Sequence, residues 1–300
     1  MFVAYKYHFF LLLAVLFWSG NFVVGRYISN EISPIELSFY RWFFVFIVLI
    51  PYYFFNFAKI NTYIKEYFFK LTFFGFISVA LFNTLVYLGL QTTTATNALL
   101  INSSTPIIII ILSSLILKKH LNKIEILGVF ISTLGVIYVI LKGNLSEILN
   151  LSITSGDLWI LFAAFIWALY SVLLKYKPQE IKAFDFLFLI VLFGIFFLVL
   201  LFFISGFNFN PIIYENDKVL NTLIYIVIFP SILSFYFWNK GIGAIGANKA
   251  GQYGNLMPIF GSIVAYYWLN ESLYFYHFVG LFLVLIGIYL TQVYKQKKVN

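Results

Sequence analysis

Along the 300-residue chain, apolar stretches of 18 to 23 residues alternate with short polar breaks. A helix needs about 20 residues to cross ~30 Å of hydrocarbon. Ten such runs are present, at 9–27, 35–55, 68–90, 96–117, 124–141, 157–175, 184–205, 220–239, 247–268 and 275–294. The pattern therefore predicts an all-α integral membrane protein with ten transmembrane helices, helix 1 to helix 10. A transmembrane barrel would show ~10-residue segments of alternating polarity, and none occurs. The first run, with Lys6 ahead of it, imitates a signal peptide. No small-x-small cleavage site follows, and Gly20-Asn21-Phe22-Val23 continues the span, so it is read as helix 1.

Composition sharpens the class. Hydrophobic residues make up 62% of the chain, charged residues 10%, and mean hydropathy is +0.96. A soluble domain carries ~25% charged residues, so a water-facing coat cannot be built here. The absence of cysteine removes disulfides, thiolate metal sites and thiol chemistry. The net charge of +8 does not imply nucleic acid, because the lysines lie in short clusters between apolar runs and form no basic face. With the N-terminus inside, 14 lysines fall in inner segments, among them Lys6, Lys59, Lys118, Lys119 and Lys175. Only Lys142 and Lys218 fall in outer loops, whereas Glu31, Glu36, Glu147, Asp157, Glu215, Asp217 and Glu271 lie outside. The positive-inside rule then places both termini in the cytoplasm of a bacterial-type plasma membrane.

The chain also repeats itself. A shift of 152 residues brings Pro106 onto Pro258, Gly128 onto Gly280 and Gly135 onto Gly287. A slightly different offset places Trp18 on Trp167. Two repeats follow, residues 1–145 and 146–300. Each holds five spans, an odd number, so the copies face opposite ways. The charges agree: Lys118-Lys119-His120 corresponds to Asn270-Glu271-Ser272, which has lost its lysines. Two inverted five-helix repeats are a transporter architecture, with a midplane site between the halves. A channel built by duplication is the other architecture such a repeat allows.

Several short motifs recur in order through the spans. They are Trp18-Ser19-Gly20-Asn21, the Pro34 to Arg41 opening of helix 2, Tyr87-Leu88-Gly89-Leu90, and the segment from Thr94 to Leu100 with Pro106. The second repeat supplies Gly246-Ala247-Asn248-Lys249-Ala250, Pro258, Asn270-Glu271-Ser272-Leu273, and Gly280 with Gly287. Together they resemble the drug/metabolite transporter superfamily, specifically its ten-helix EamA-type members. The resemblance implies export or exchange of small metabolites, often amino acids, through a cavity lined mainly by helices 1, 3, 4, 6, 8 and 9. Helices 5 and 10 are then peripheral. One departure is Lys119, where such repeats often carry Glu, so that acidic position exists only as Glu271.

The candidate chemistry is sparse. No acidic residue lies near the middle of a span; Glu36, Glu125, Asp157 and Asp185 sit at helix starts, where carboxylates complement the dipole. A buried carboxylate relay is therefore not expected. The histidines, His8, His120 and His277, form no nucleophile–base pair or metal cluster, so no enzyme, cofactor or metal is expected. Arg41, about two turns into helix 2, has two readings: a snorkelling residue paired with Glu36 or an outer-loop acid, or a clamp for carboxylate or phosphate. Pro106 and Pro258 should bend helices 4 and 9, turning Asn102 toward a cavity or a neighbouring helix. Trp18 and Trp167 lie near the midplane, away from the interfaces tryptophan prefers. They suggest aromatic walls around a ligand, with Asn21 and Tyr170 one turn further on, and Tyr87, Asn102, Trp238 and Tyr253 as additions. Large packing residues in a core would look the same. Gly128, Gly135, Gly280 and Gly287 mark helices 5 and 10 for close helix contact, with a homodimer through them as one outcome.

The sequence thus points to a secondary transporter of a small organic metabolite, with the lipid bilayer as its other partner. A nucleotide-sugar or phosphorylated-metabolite exchanger would want several cavity cations. A receptor or scaffold would not need opposed halves.

Overall fold

The computed structural model describes residues 2–118, 122–144, 146, 154–207, 209, 215–269 and 273–293. Lys119, His120, Glu147 and the Asn270-Glu271-Ser272 motif lie outside them. Among the described residues there is no strand.

The chain opens with α1 (Phe2–Tyr27) and α2 (Pro34–Phe55). Next come α3 (Phe57–Gly75), a π-helical turn at Phe76–Leu81 and α4 (Phe82–Thr92). Within α3 the backbone leaves helical angles at Tyr67, one residue before the span expected from residue 68. A break at Ser103 and Ser104 separates α5 (Ala95–Asn102) from α6 (Thr105–Leu117), and α7 (Lys123–Ile140) follows. The next group is α8 (Ser155–Leu173), α9 (Ala183–Ile204), α10 (Asp217–Ile226), a π-helical stretch at Val227–Leu233, and α11 (Ser234–Ile245). Then α12 (Ala247–Gly251) passes through a 3-10 turn at Gln252–Leu256 into α13 (Met257–Leu269), before α14 (Phe275–Val293).

Six described helices are long and apolar enough to cross a membrane: Tyr5–Tyr27, Pro34–Phe55, Phe57–Thr92, Ser155–Tyr176, Ala183–Ile204 and Asp217–Ile245. The spans expected at 96–117 and 247–268 are the interrupted ones. Proline has no N–H to donate and crowds the preceding turn. Pro106 accordingly stands in the first turn of α6, just after the break, and Pro258 is the second residue of α13, just after the 3-10 turn.

Three helix starts are closed by capping boxes. Ser33, Asn122 and Thr154 accept from the backbone N–H three residues on, and Glu36, Glu125 and Asp157 return a bond to the cap backbone. Each box satisfies two amides that lipid or headgroups would leave stranded. Asp185 is different. It is fully buried, ion-paired to Lys59 at 2.8 Å and hydrogen-bonded by Tyr52, so it joins the starts of α3 and α9 to the end of α2. At the opposite end of the bundle, Thr93 holds Asp157, and Lys218 lies 3.6 Å from Glu31.

The glycine faces meet each other inside the chain. A Cβ on Gly128 would strike the carbonyl oxygen of Gly287, and one on Gly135 would strike that of Gly280, so α7 and α14 pack antiparallel with their backbones in contact. The faces that suggested a homodimer are thus used up within one molecule. What α7 and α14 leave outside is bulky and apolar, including Phe130, Leu134, Phe278 and Phe282, a surface suited to lipid.

Candidate functional site

The centre of the bundle is an aromatic cluster built from α1, α8 and α11. Trp18 meets Trp167 edge to face at 4.9 Å between ring centroids and Trp238 at 5.1 Å. Trp167 in turn packs on Phe82 at 4.6 Å and on Tyr170 at 5.0 Å. Edge-to-face geometry places the positive ring edge on the negative face of its neighbour, worth about 0.5–1.5 kcal/mol per pair beyond burial.

A small cavity opens beside this cluster. Trp18, Asn21 and Phe22 of α1 line it, with Phe82, Asn83 and Val86 of α4. Asn102 and Thr105 come from either side of the α5–α6 break, Trp167 from α8 and Trp238 from α11. Gly251, Gly254 and Met257 come from the interrupted stretch between α12 and α13. The space open to the centre of a water molecule is only about 20 Å³, room for roughly one water. The wall is mostly apolar with a few amides. Asn102 is the least committed of these: its Nδ2 reaches only the weak acceptor Met257 Sδ at 3.3 Å, and its Oδ1 accepts from Thr105 at 3.5 Å.

Five residues expected in the site therefore line the cavity: Trp18, Asn21, Asn102, Trp167 and Trp238. Tyr87, Tyr170 and Arg41 stand behind the wall, and the Tyr253 hydroxyl turns away to meet His8 Nδ1 at 2.6 Å. Asn83, Phe82 and Met257 escaped the sequence reading. Asn83 carried a usable signal, a polar residue inside a span one turn before Tyr87. Its amide serves the π-helical turn, donating to the carbonyls of Ser78 at 3.0 Å and Val79 at 3.4 Å.

Arg41 does not snorkel. It is 1% exposed, and among the described residues neither Glu36 nor an outer-loop acid pairs with it: Glu36 caps α2, and Glu31 faces Lys218. Its Nε donates to Ser231 Oγ at 2.7 Å. One terminal nitrogen donates to Asn21 Oδ1 at 3.1 Å and to the Tyr87 hydroxyl at 2.8 Å. The other donates to the Pro230 carbonyl at 3.3 Å, which also accepts from Trp18 Nε1 at 2.9 Å. The guanidinium lies 5.1 Å from the Trp42 ring. One arginine thus ties α2 to α1, to α4 and to the π-helical stretch before α11, directly behind Trp18 and Asn21. Every acceptor it uses is neutral.

At the opposite end of the bundle a wider vestibule lies between α6, α8 and α11. It encloses about 830 Å³ open to water centres and is lined by Ser171, Ile242, Asn248 and the lysines Lys118, Lys175 and Lys177. Partial burial pushes the Lys177 ammonium below its ordinary pKa, and its Nζ donates to the Pro178 and Ile181 carbonyls. No group of three or more His, Cys, Asp or Glu able to hold a metal occurs among the described residues.

Comparison with known proteins places this geometry. The EamA-like transporter family matches residues 5–141 and again residues 154–293. An uncharacterized transporter of Archaeoglobus fulgidus is 30% identical over 292 residues, 95% of this chain and 97% of its own. The uncharacterized transporter YyaM of Bacillus subtilis is 27% identical, covering 91% of this chain and 89% of its own. A solved crystal structure shares the fold with a TM-score of 0.70 at 14% identity, covering 95% of this chain and 96% of that one.

Proposed function

Because the chain belongs to the EamA-like transporter family, we propose that it moves a small organic metabolite by alternating access, with the cavity beside Trp18, Trp167 and Trp238 as the substrate site. The observation that carries this reading is where the cavity lies. It draws walls from both interrupted stretches and from the clustered tryptophans Trp18, Trp167 and Trp238, and it keeps an under-used amide at Asn102. Ligand sites are generally apolar pockets with a few convergent polar groups, and carriers place them where helices are broken.

We read the helices as ten crossings in two opposed five-helix repeats, with both termini cytoplasmic. Residues paired across the bundle support opposed halves. Gly128 meets Gly287, the counterpart of Gly135, and Gly135 meets Gly280, the counterpart of Gly128. Likewise a Cβ on Gly261 would meet Leu99, and one on Gly251 would meet Ile109, which the same 152-residue shift exchanges. A two-fold relation in the membrane plane produces such exchanged contacts. In this orientation the Arg41 cluster closes the outer side and the lysine-lined vestibule opens the inner side, an inward-facing state. Rocking of the halves would move the opening to the other side, and export or exchange at the plasma membrane is the direction we favour.

A metabolite-toxicity screen with and without overexpression identifies the solute, and uptake of that solute into vesicles measures transport. Trp18→Ala and Trp167→Ala should raise the half-saturating concentration in protein that still expresses and melts cooperatively. Normal affinity with lost expression and stability would move both tryptophans from the site to the core.

A further inference from the structure

The substrate class is legible in a missing charge. A buried guanidinium costs several kcal/mol of lost hydration unless a counter-charge or a full set of acceptors compensates it. Ionisable groups inside a membrane protein are functional candidates for that reason. Arg41 is the extreme case here: it is 1% exposed, and no carboxylate among the described residues lies within ion-pair distance. Ser231, Asn21, Tyr87 and the Pro230 carbonyl supply dipoles only. Four of its five N–H donors are engaged in this way, and the Trp42 and Tyr87 rings lie 5.1 and 5.9 Å from the guanidinium. Dipoles and ring faces soften the charge, but among the described residues no anion balances it.

We propose that the transported solute carries a carboxylate, and that this carboxylate replaces the neutral acceptors on Arg41 when the outer side opens. The inference rests on the cavity beside Trp18 being the substrate site. Asn21 connects the two, since it lines the cavity and its Oδ1 accepts from Arg41. A planar guanidinium offers a carboxylate two parallel bonds, about twice as strong as bonds to neutral acceptors. Capture of the anion would also release α2 from α1, α4 and the π-helical stretch around Pro230. Occupancy and opening are thereby coupled through one side chain. A cationic solute would meet this unbalanced positive charge at the same place.

The test uses the purified full-length chain and three probes with one ring and different charge: phenylacetate, phenylacetamide and phenethylammonium. Binding is read from quenching of tryptophan fluorescence and from the melting temperature. Wild type should bind phenylacetate at least tenfold tighter than phenylacetamide, and phenethylammonium weakest. Arg41→Gln should bring the first two within about twofold, while Arg41→Lys should keep part of the preference. Should Arg41→Gln fail to fold, Ser231→Ala supplies an independent arm. It frees the Nε donor and should tighten phenylacetate binding alone, whereas a purely structural arginine predicts lower stability with unchanged affinity. Equal binding of all three probes by wild type, no binding by any, or a preference that survives Arg41→Gln would overturn the proposal. The cavity reading fails separately, if Trp18→Ala leaves binding of every probe unchanged.

Discussion

The hydroxyl of Tyr170 donates to Asn239 Oδ1 at 2.8 Å, and this bond repeats, with the residue types exchanged, the 2.9 Å bond from Tyr87 to Asn21. Tyr170 follows Asn21 by the same 149 residues that separate Trp167 from Trp18. The two bonds thus occupy corresponding places on either side of the tryptophan cluster. They differ in what stands next to them. Arg41 ties the first into a network, whereas the same offset puts Ile190 opposite the second, and Asn239 Nδ2 is left buried without a partner. The Arg41 side is therefore the better bonded of the two.

That imbalance is measurable. Tyr170→Phe strips Asn239 of its one bonded amide atom, at a cost of about 1–3 kcal/mol. The melting temperature of detergent-purified protein should fall accordingly. Adding Asn239→Leu removes the stranded amide and should recover at least half of the loss. A double variant no better than the single would show that the bond itself, not the orphaned amide, sets the cost.

The contact between α7 and α14 makes a second prediction. Gly128→Ala and Gly287→Ala each put a methyl group against a main-chain carbonyl, which cannot rotate away. Overpacking of this kind costs about 1–3 kcal/mol. Gly243→Ala meets nothing within 4 Å and should leave the melting temperature nearly unchanged. Equal effects at the three positions would contradict the packing described here.

Lys59 should matter more than its neighbours. Its partner Asp185 is fully buried, and Asp185 Oδ2 has no bond at all. Lys59→Met leaves that carboxylate held by Tyr52 alone. Breaking a buried pair costs about 3–5 kcal/mol, and the half-exposed lysine side reduces this to about 1–3. Lys65→Met, at an exposed position, should change stability by less than about 0.5 kcal/mol. Thermal melts of the two variants decide between them.

Glu36, Glu125 and Asp157 close helix starts and do not line the cavity. Neutralising them one at a time should lower stability by about 0.5–2 kcal/mol and leave solute flux measurable. Abolished flux in well-folded protein from any one of them would place that carboxylate in the transport cycle.

Orientation is open to labelling, because the chain has no native cysteine. A cysteine at Asn30 should react with an impermeant maleimide in intact cells. Cysteines at Lys65 and Gln179 should react only after permeabilisation. These three positions are exposed, and none serves as a helix cap. The opposite labelling pattern would invert the assignment of the two sides.

The apolar periodicity, the lysine bias and the spacing of Pro106, Pro258 and the four glycines were legible in the chain itself, because lipid demands long apolar helices and duplication preserves register. Trp18 and Trp167 could be singled out because their depth follows from counting along a helix. The partners of a side chain follow from no such rule. Periodicity says that Arg41 is two turns into α2, but only packing shows that it is sealed behind Asn21 and Trp18 with neutral acceptors alone. The glycine faces announced close contact, and only the tertiary structure decided that they meet each other rather than a second molecule. Asp185 read as an ordinary helix start until α2 and α3 buried it against Lys59 and Tyr52. Local sequence sets depth and helical phase, which are short-range properties. Hydrogen-bond partners and counter-charges depend on which distant helix supplies the opposite wall, and that is settled when the helices pack.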